Sequence, residues 1–118
     1  MQAMVEAFTF GEKQGLDRSQ LSKLFAETPF DCPVYRNYGR AIADQVYRLA
    51  GSRLPLGLKD MRLVLQTAED AGVPMPFAHV LHQSFLSLLV QGHDDLDRSA
   101  LDYAVSRSAG LAETAPPQ

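Results

Sequence analysis

An all-α fold of about six helices with no sheet is what this sequence predicts, and three observations carry it. Apolar residues recur at helical spacing along almost the whole chain. Glycines, prolines and capping residues cut that pattern into pieces of helix length. No stretch shows the strict alternation of β-branched residues that marks a half-buried strand. Short loops between such helices imply a mixed or orthogonal bundle.

The elements follow in order. From Met1 to about Gln14 no proline interrupts the chain, and Met4, Ala7 and Phe8 with Phe10 give a first helix. Gly15 stops it, because a left-handed residue is cheapest without a side chain. Asp17 and Gln20 have capping-box spacing and open a second helix through Leu21, Leu24 and Phe25. Thr28-Pro29-Phe30-Asp31-Cys32-Pro33 breaks it, since each proline pushes its predecessor out of helical geometry. A third helix is expected from Pro33 to about Leu49, weakened near Gly39. Gly51 to Pro55 reads as a loop, after which Leu58, Met61, Leu65 and Ala68 step along one helical face. Gly72 and Pro74 end that helix. The fifth, from about Pro76 to Gln91, carries Phe77, Val80, Leu81, Phe85, Leu88 and Leu89 and is expected to be the most buried. Asp97 is the expected cap of a short last helix containing Leu101 and Val105. Residues 1–109 thus form one helical domain, and 110–118, with two prolines and no periodicity, a disordered tail.

Size and charge narrow the function. At 118 residues and 13.0 kDa the chain is one domain, with no room for a nucleotide-binding α/β domain beside anything else. Eleven Lys and Arg against 14 Asp and Glu, with no basic run, argue against a nucleic-acid surface. The single Cys32 cannot form an internal disulfide and suits a reducing cytoplasm. No apolar run approaches the roughly 20 residues of a membrane helix, and the N-terminus lacks the pattern of a signal peptide. A cytoplasmic protein that binds neither nucleic acid nor membrane is expected.

Few residues could carry chemistry. His79 and His82 lie three apart on one helix face, but a metal needs a third ligand and no second cluster has convincing spacing. His93 sits in a polar turn behind a helix C-terminus, which favours positive charge. Ser19, Ser22, Ser84 and Ser87 have no nucleophile-elbow setting, and Asp94, Asp95 and Asp97 lack the spacing of a calcium loop. Lys59 stands out. It falls within the first turn or so of the fourth helix, where the dipole disfavours a cation by a few tenths of a kcal/mol. Adjacent Asp60 does not face it, so Lys59 points to an external anionic partner.

At this segment a family becomes recognisable. Leu58-Lys59-Asp60-Met61-Arg62-Leu63-Val64-Leu65, then Ala68 and Ala71-Gly72-Val73-Pro74-Met75-Pro76, resembles the K-D signature of the β-hydroxyacid dehydrogenases, among them 3-hydroxyisobutyrate dehydrogenase. Glu6-Ala7 with Gly11-Glu12-Lys13-Gln14-Gly15-Leu16-Asp17 resembles the long helix that opens the family's C-terminal domain. Gly92-His93 and Asp97-Arg98-Ser99-Ala100 resemble its closing segment. The resemblance spans about residues 3 to 107. It implies the helical, cofactor-capping and dimerisation domain of an enzyme that binds NAD or NADP on a Rossmann domain. Lys59 would then reach the cofactor and Asp60 would hold the helix start or the neighbouring loop.

The departures define the expectation further. No G-x-G-x-x-G fingerprint occurs, and the family's catalytic lysine belongs to a segment expected upstream of Met1. No catalytic residue and no metal are therefore assigned here, and the chain alone is expected to be inactive. Leu54-Pro55-Leu56-Gly57 replaces the family's more usual aromatic-containing run. The implied partners are a Rossmann domain and a second copy, the latter through apolar helices, with Met1, Met4, Val5, Phe8 and Phe10 of the first helix left needing cover. The competing reading is a stand-alone helical interaction module without a catalytic role.

Overall fold

A computed structural model describes residues 1–48 and 51–111. Among them are six α-helices and no strand: α1 (Gln2–Lys13), α2 (Arg18–Ala26), α3 (Pro33–Ala43), α4 (Leu54–Asp70), α5 (Pro76–Val90) and α6 (Leu101–Ser108), the last preceded by a 3₁₀ turn at Arg98–Ala100. The all-α expectation holds. The chain divides into two units, residues 1–48 with 99–111, and residues 51–98. Most of the expected disordered tail lies outside the described residues.

In the first unit α1 packs on α2, α3 and α6, burying Met4, Val5 and Phe8. The expectation that α1 leaves an apolar patch is therefore corrected: of that set only Phe10 stands out, at 69% exposure. Phe25 of α2 centres an aromatic cluster, with its ring centroid 5.6 Å from those of Phe8 and Tyr35 and 6.1 Å from that of Phe30. Asp17 caps α2 by accepting hydrogen bonds from the Ser19 and Gln20 backbone N–H groups, which satisfies donors every helix N-terminus leaves open.

Helix α3 ends at Ala43, short of the predicted Leu49, itself outside the described residues. The reason is local. Gln45 adopts φ 53°, and the Val46 and Gln45 N–H groups donate to the carbonyls of Ala41 and Ile42. This is the closing motif that Gly15, at φ 82°, makes for α1. A helix stop made by glutamine leaves no composition signal.

A buried polar network ties the first unit together. Arg18 at the start of α2 pairs with Glu12 of α1 and Asp102 of α6, and donates to the Ile42 carbonyl at 3.0 Å. The Tyr47 hydroxyl donates to the same Asp102 oxygen. Asp102 is wholly buried, and its other oxygen has no hydrogen-bond partner among the described residues. Burial raises the Asp102 pKa, outweighing Arg18 and Tyr47, which lower it. Burial also acts against the Arg18 charge, yet Asp102 and Glu12 overcome it and hold its pKa above the ordinary value. Burial and the Asp102 carboxylate both push Tyr47 upward. Thr9 and Ser106 add a buried hydroxyl pair at 3.3 Å.

The second unit is a helical hairpin, α4 and α5 joined by the turn around Gly72. Gly57 lets α4 approach Phe85 closely: a Cβ there would lie 3.2 Å from the ring. Leu54, Leu58, Phe85, Leu88 and Leu96 are buried. The expectation that α5 is the most buried helix is wrong. Phe77 is 84% and Val90 80% exposed, because only one stripe of an apolar helix can face one partner helix.

Candidate functional site

The candidate site is the start of α4 and the segment that pins it. Arg53, in extended conformation, precedes α4, and Pro55 sits in its first turn with φ already set for a helix. The helix therefore begins at Leu54, before the predicted loop has run its length. Leu54 N–H donates to the Leu96 carbonyl at 2.9 Å, and Arg98 N–H to the Ser52 carbonyl at 2.9 Å, forming an isolated antiparallel bridge between Arg53 and Asp97.

Asp97 is the centre of that clamp. It is fully buried and its Oδ2 accepts from the Ser52 backbone N–H at 2.7 Å. The expected role as cap of the last helix is corrected: Ala100 occupies the cap position of α6, and the Asp97 carboxylate is turned to the loop before α4. An oxygen paired with an amide is worth most where water is excluded. Arg98 donates to the Ser52 hydroxyl, and Asp60 lies 3.8 Å from its guanidinium. Asp60, Arg98, Ser52 and Asp97 thus connect the second turn of α4 with the loop before it.

Lys59 rides on this fixed element. It is the sixth residue of α4 rather than a member of the first turn, so the dipole penalty expected from sequence largely disappears. The side chain is exposed and has no ion-pair partner among the described residues. A mobile ammonium beside a rigid helix start can bind a phosphate or ribose oxygen presented from outside. That donor set suits a dinucleotide's anionic or polar edge.

The other candidates resolve differently. His79 and His82 share a cleft of about 660 Å³ with Arg62, Gln66 and Glu69 between α4 and α5. No group of three His, Cys, Asp or Glu side chains placed to hold a metal occurs among the described residues. His93 closes α5, its N–H donating to the Leu88 carbonyl at 3.2 Å behind Gly92. Ser84 Oγ bonds the Val80 carbonyl at 3.0 Å and Ser87 Oγ accepts from Gln91 at 3.1 Å, so both hydroxyls serve their own helix. Ser19 bonds Asp17 at the α2 cap, and Ser22 lies in a shallow groove between α2 and α3. Cys32 is half-buried at the start of α3. No helix of the described residues is long and apolar enough to cross a membrane.

The Asp97 clamp is what sequence reasoning missed, although Asp97-Arg98-Ser99-Ala100 lies inside a recognised motif. The available signal was the acidic residue itself, which the motif marks without saying that it faces backwards along the chain.

Known proteins resemble the chain over this whole region. An uncharacterized oxidoreductase, YfjR, of Bacillus subtilis (strain 168) is 38% identical over 101 residues, covering 86% of this chain and 35% of that protein. L-Threonate dehydrogenase of Cupriavidus necator is 27% identical over 99 residues, covering 84% and 33%. The crystal structure of a 3-hydroxyisobutyrate dehydrogenase from Salmonella typhimurium superposes with a TM-score of 0.79 at 22% identity, again over 86% of this chain and 35% of that one, which shows a shared fold. The chain therefore spans about a third of the length of these relatives. The family model described as NAD-binding of NADP-dependent 3-hydroxyisobutyrate dehydrogenase matches residues 1–104, which include the clamp, the K-D helix and all the helices but the end of α6, and the chain belongs to that family of oxidoreductases.

Proposed function

We propose that this chain is the helical domain that closes over NAD or NADP in an oxidoreductase of β-hydroxyacids or semialdehydes, working with a Rossmann domain in the same or a second polypeptide. The reaction is a hydride exchange, which the nicotinamide supplies or accepts when bound. The observation that carries this reading is the exposed Lys59, without an ion-pair partner among the described residues, on a helix whose preceding loop is held by Asp97, within a match to an NAD-binding family.

Each residue has a definable part. Lys59 donates a charge-assisted hydrogen bond to a cofactor oxygen. Asp60 and Arg98 keep the second turn of α4 from swinging away from the loop. Asp97 holds that loop through Ser52 N–H. Such a clamp reduces the conformational entropy lost when the ligand is engaged. The chain by itself is inactive, because these 118 residues contain neither a dinucleotide fingerprint nor an assigned proton-transfer residue. The compartment we propose is the cytoplasm, consistent with a lone half-buried Cys32.

Cofactor binding tests the reading. Adding the chain to a matching Rossmann domain should tighten NADH or NADPH binding, read by nicotinamide fluorescence. Lys59→Ala should weaken that binding by about tenfold or more, the loss of one hydrogen bond to a charged group. Unchanged cofactor affinity in Lys59→Ala, or NAD(P)H-dependent turnover by the pure chain, would overturn it.

A further inference from the structure

Arg62, Gln66 and Glu69 step by four and three residues along one face of α4. That face walls the cleft of about 660 Å³ to which α5 contributes His79 and His82. Arg62 and Glu69 are the charged ends of this wall. Seven residues apart, they point within about 20° of one direction and lie about 10.5 Å apart along the helix axis. Neither has an opposite charge three or four positions away, and the one charged residue so placed is Lys59, which repels Arg62. Among the described residues neither side chain makes an ion pair or a hydrogen bond. Gln66 is engaged, donating to Asp70 at 3.1 Å. Leu65 and Ala68 fall between the two charges on α4, and Val73 and Met75 line the cleft from the turn.

We propose that this cleft binds a small unbranched zwitterion, an ω-amino acid whose carboxylate pairs with Arg62 and whose ammonium pairs with Glu69, with its methylene chain along Leu65 and Ala68. Three features select that ligand. The first is charge: a simple anion at Arg62 would meet the uncompensated Glu69, and a simple cation at Glu69 would meet Arg62, whereas a ligand carrying both signs satisfies both. The second is length. One charge-assisted hydrogen bond at each end leaves about 5 Å of the axial separation, the span of roughly four to five carbons. The third is the lining, because the apolar side chains give a methylene chain a surface that a bare inorganic ion cannot use. The imidazoles of His79 and His82 add ring nitrogens able to donate or accept. The proposal does not rest on the cofactor reading, since neither Lys59 nor Asp97 lines this cleft.

Isothermal titration calorimetry of the 118-residue chain with δ-aminovalerate tests it. A dissociation constant of about 1 mM or tighter is expected for two charge-assisted contacts on a ligand of this size. Valerate lacks the ammonium and pentylamine the carboxylate, so each should bind about tenfold or more weakly, as loss of a hydrogen bond to a charged group does. Arg62→Gln should abolish the preference for δ-aminovalerate over pentylamine, and Glu69→Gln the preference over valerate. Both side chains are exposed and without partners, so the fold should survive, as circular dichroism can check. Glu27→Gln, which removes an exposed carboxylate of the first unit, should leave the affinity unchanged. No binding of δ-aminovalerate up to about 50 mM would overturn the proposal. So would valerate or pentylamine binding as tightly as δ-aminovalerate, or δ-aminovalerate binding that neither Arg62→Gln nor Glu69→Gln weakens.

Discussion

The two units spend their polar and apolar residues in opposite ways. The unit of α1, α2, α3 and α6 buries most of its apolar first helix and closes around Arg18, Asp102 and Tyr47. The hairpin buries one stripe and leaves Leu63, Val64, Val73, Met75, Phe77 and Val80 exposed. Its one buried carboxylate, Asp97, holds a loop before α4 rather than joining distant helices. The first unit is tied together by a buried network running between α1, α2 and α6, although it too exposes Phe10, Leu24 and Phe30. Exposed apolar side chains and a Lys59 with no ion-pair partner among the described residues distinguish the second.

The largest effect should come from breaking the first unit's network. Asp102→Ala leaves the buried Arg18 with Glu12 as its remaining carboxylate beside the Ile42 carbonyl, and removing one partner of a buried pair typically costs about 3–5 kcal/mol. Urea denaturation should show that loss. A change below about 1 kcal/mol would mean that water already reaches the network and that the contrast between the units is overstated.

Truncation in the hairpin should cost somewhat less. Leu88 is fully buried, and Leu88→Ala should destabilise by about 2–4 kcal/mol through lost burial and a residual cavity. Val90→Ala, two residues on and 80% exposed, should stay within about 0.5 kcal/mol. Equal costs at the two positions would contradict the stripe of burial assigned to α5.

The network also sets a pH dependence of unusual sign. The folded-state pKa of Asp102 is raised from 3.8, chiefly by burial. Its contribution is therefore fully present below about pH 4 and is lost as pH rises through the folded value. Asp17 and Asp31 behave oppositely. The Ser19 hydroxyl and Arg36, respectively, lower their pKa values, so their contributions are present above 3.8 and fall away below it as each is protonated. Acidifying from neutrality towards pH 4 should thus shift the stability difference between the parent and Asp102→Asn in the parent's favour, because only the parent gains from protonating that carboxyl. Thermal midpoints of both proteins across this range measure the difference, and a parallel pair of curves would show that Asp102 titrates normally.

How far the sequence could be read depends on the range of each signal. Asp17, Gly15, Gly72 and Pro76 act within a few residues of themselves, and the helix boundaries they mark are found nearly where the spacing predicts. The start of α4 was missed because its helix is anchored by Leu96, 42 positions downstream of Leu54 and bonded to it through backbone atoms that carry no composition. Arg18 and Asp102 stand 84 positions apart, and no local pattern joins them. The exposure of Phe77 was equally hidden, since periodicity shows that a helix is apolar without showing how many partners it has. Lys59 stood out because a short motif surrounds it, and its contact with a cofactor is part of the proposal.

The smallest effect concerns the one stop that composition concealed. Gly15 and Gln45 close α1 and α3 with the same pair of backbone hydrogen bonds, one at φ 82° and the other at φ 53°. A non-glycine residue in that region carries a strain of about 1–2 kcal/mol. Gln45→Gly removes the strain, while the added freedom of glycine in the unfolded chain returns roughly 0.5–1 kcal/mol of it. The net expectation is stabilisation by several tenths of a kcal/mol to about 1 kcal/mol, or a rise of a few degrees in Tm. Gly15→Ala is the mirror experiment. Nothing lies within 4 Å of an added Cβ there, so its expected loss of about 1 kcal/mol is backbone strain without a clash. If Gln45→Gly lowers Tm while Gly15→Ala behaves as expected, the glutamine side chain contributes more to the first unit than its exposed position suggests.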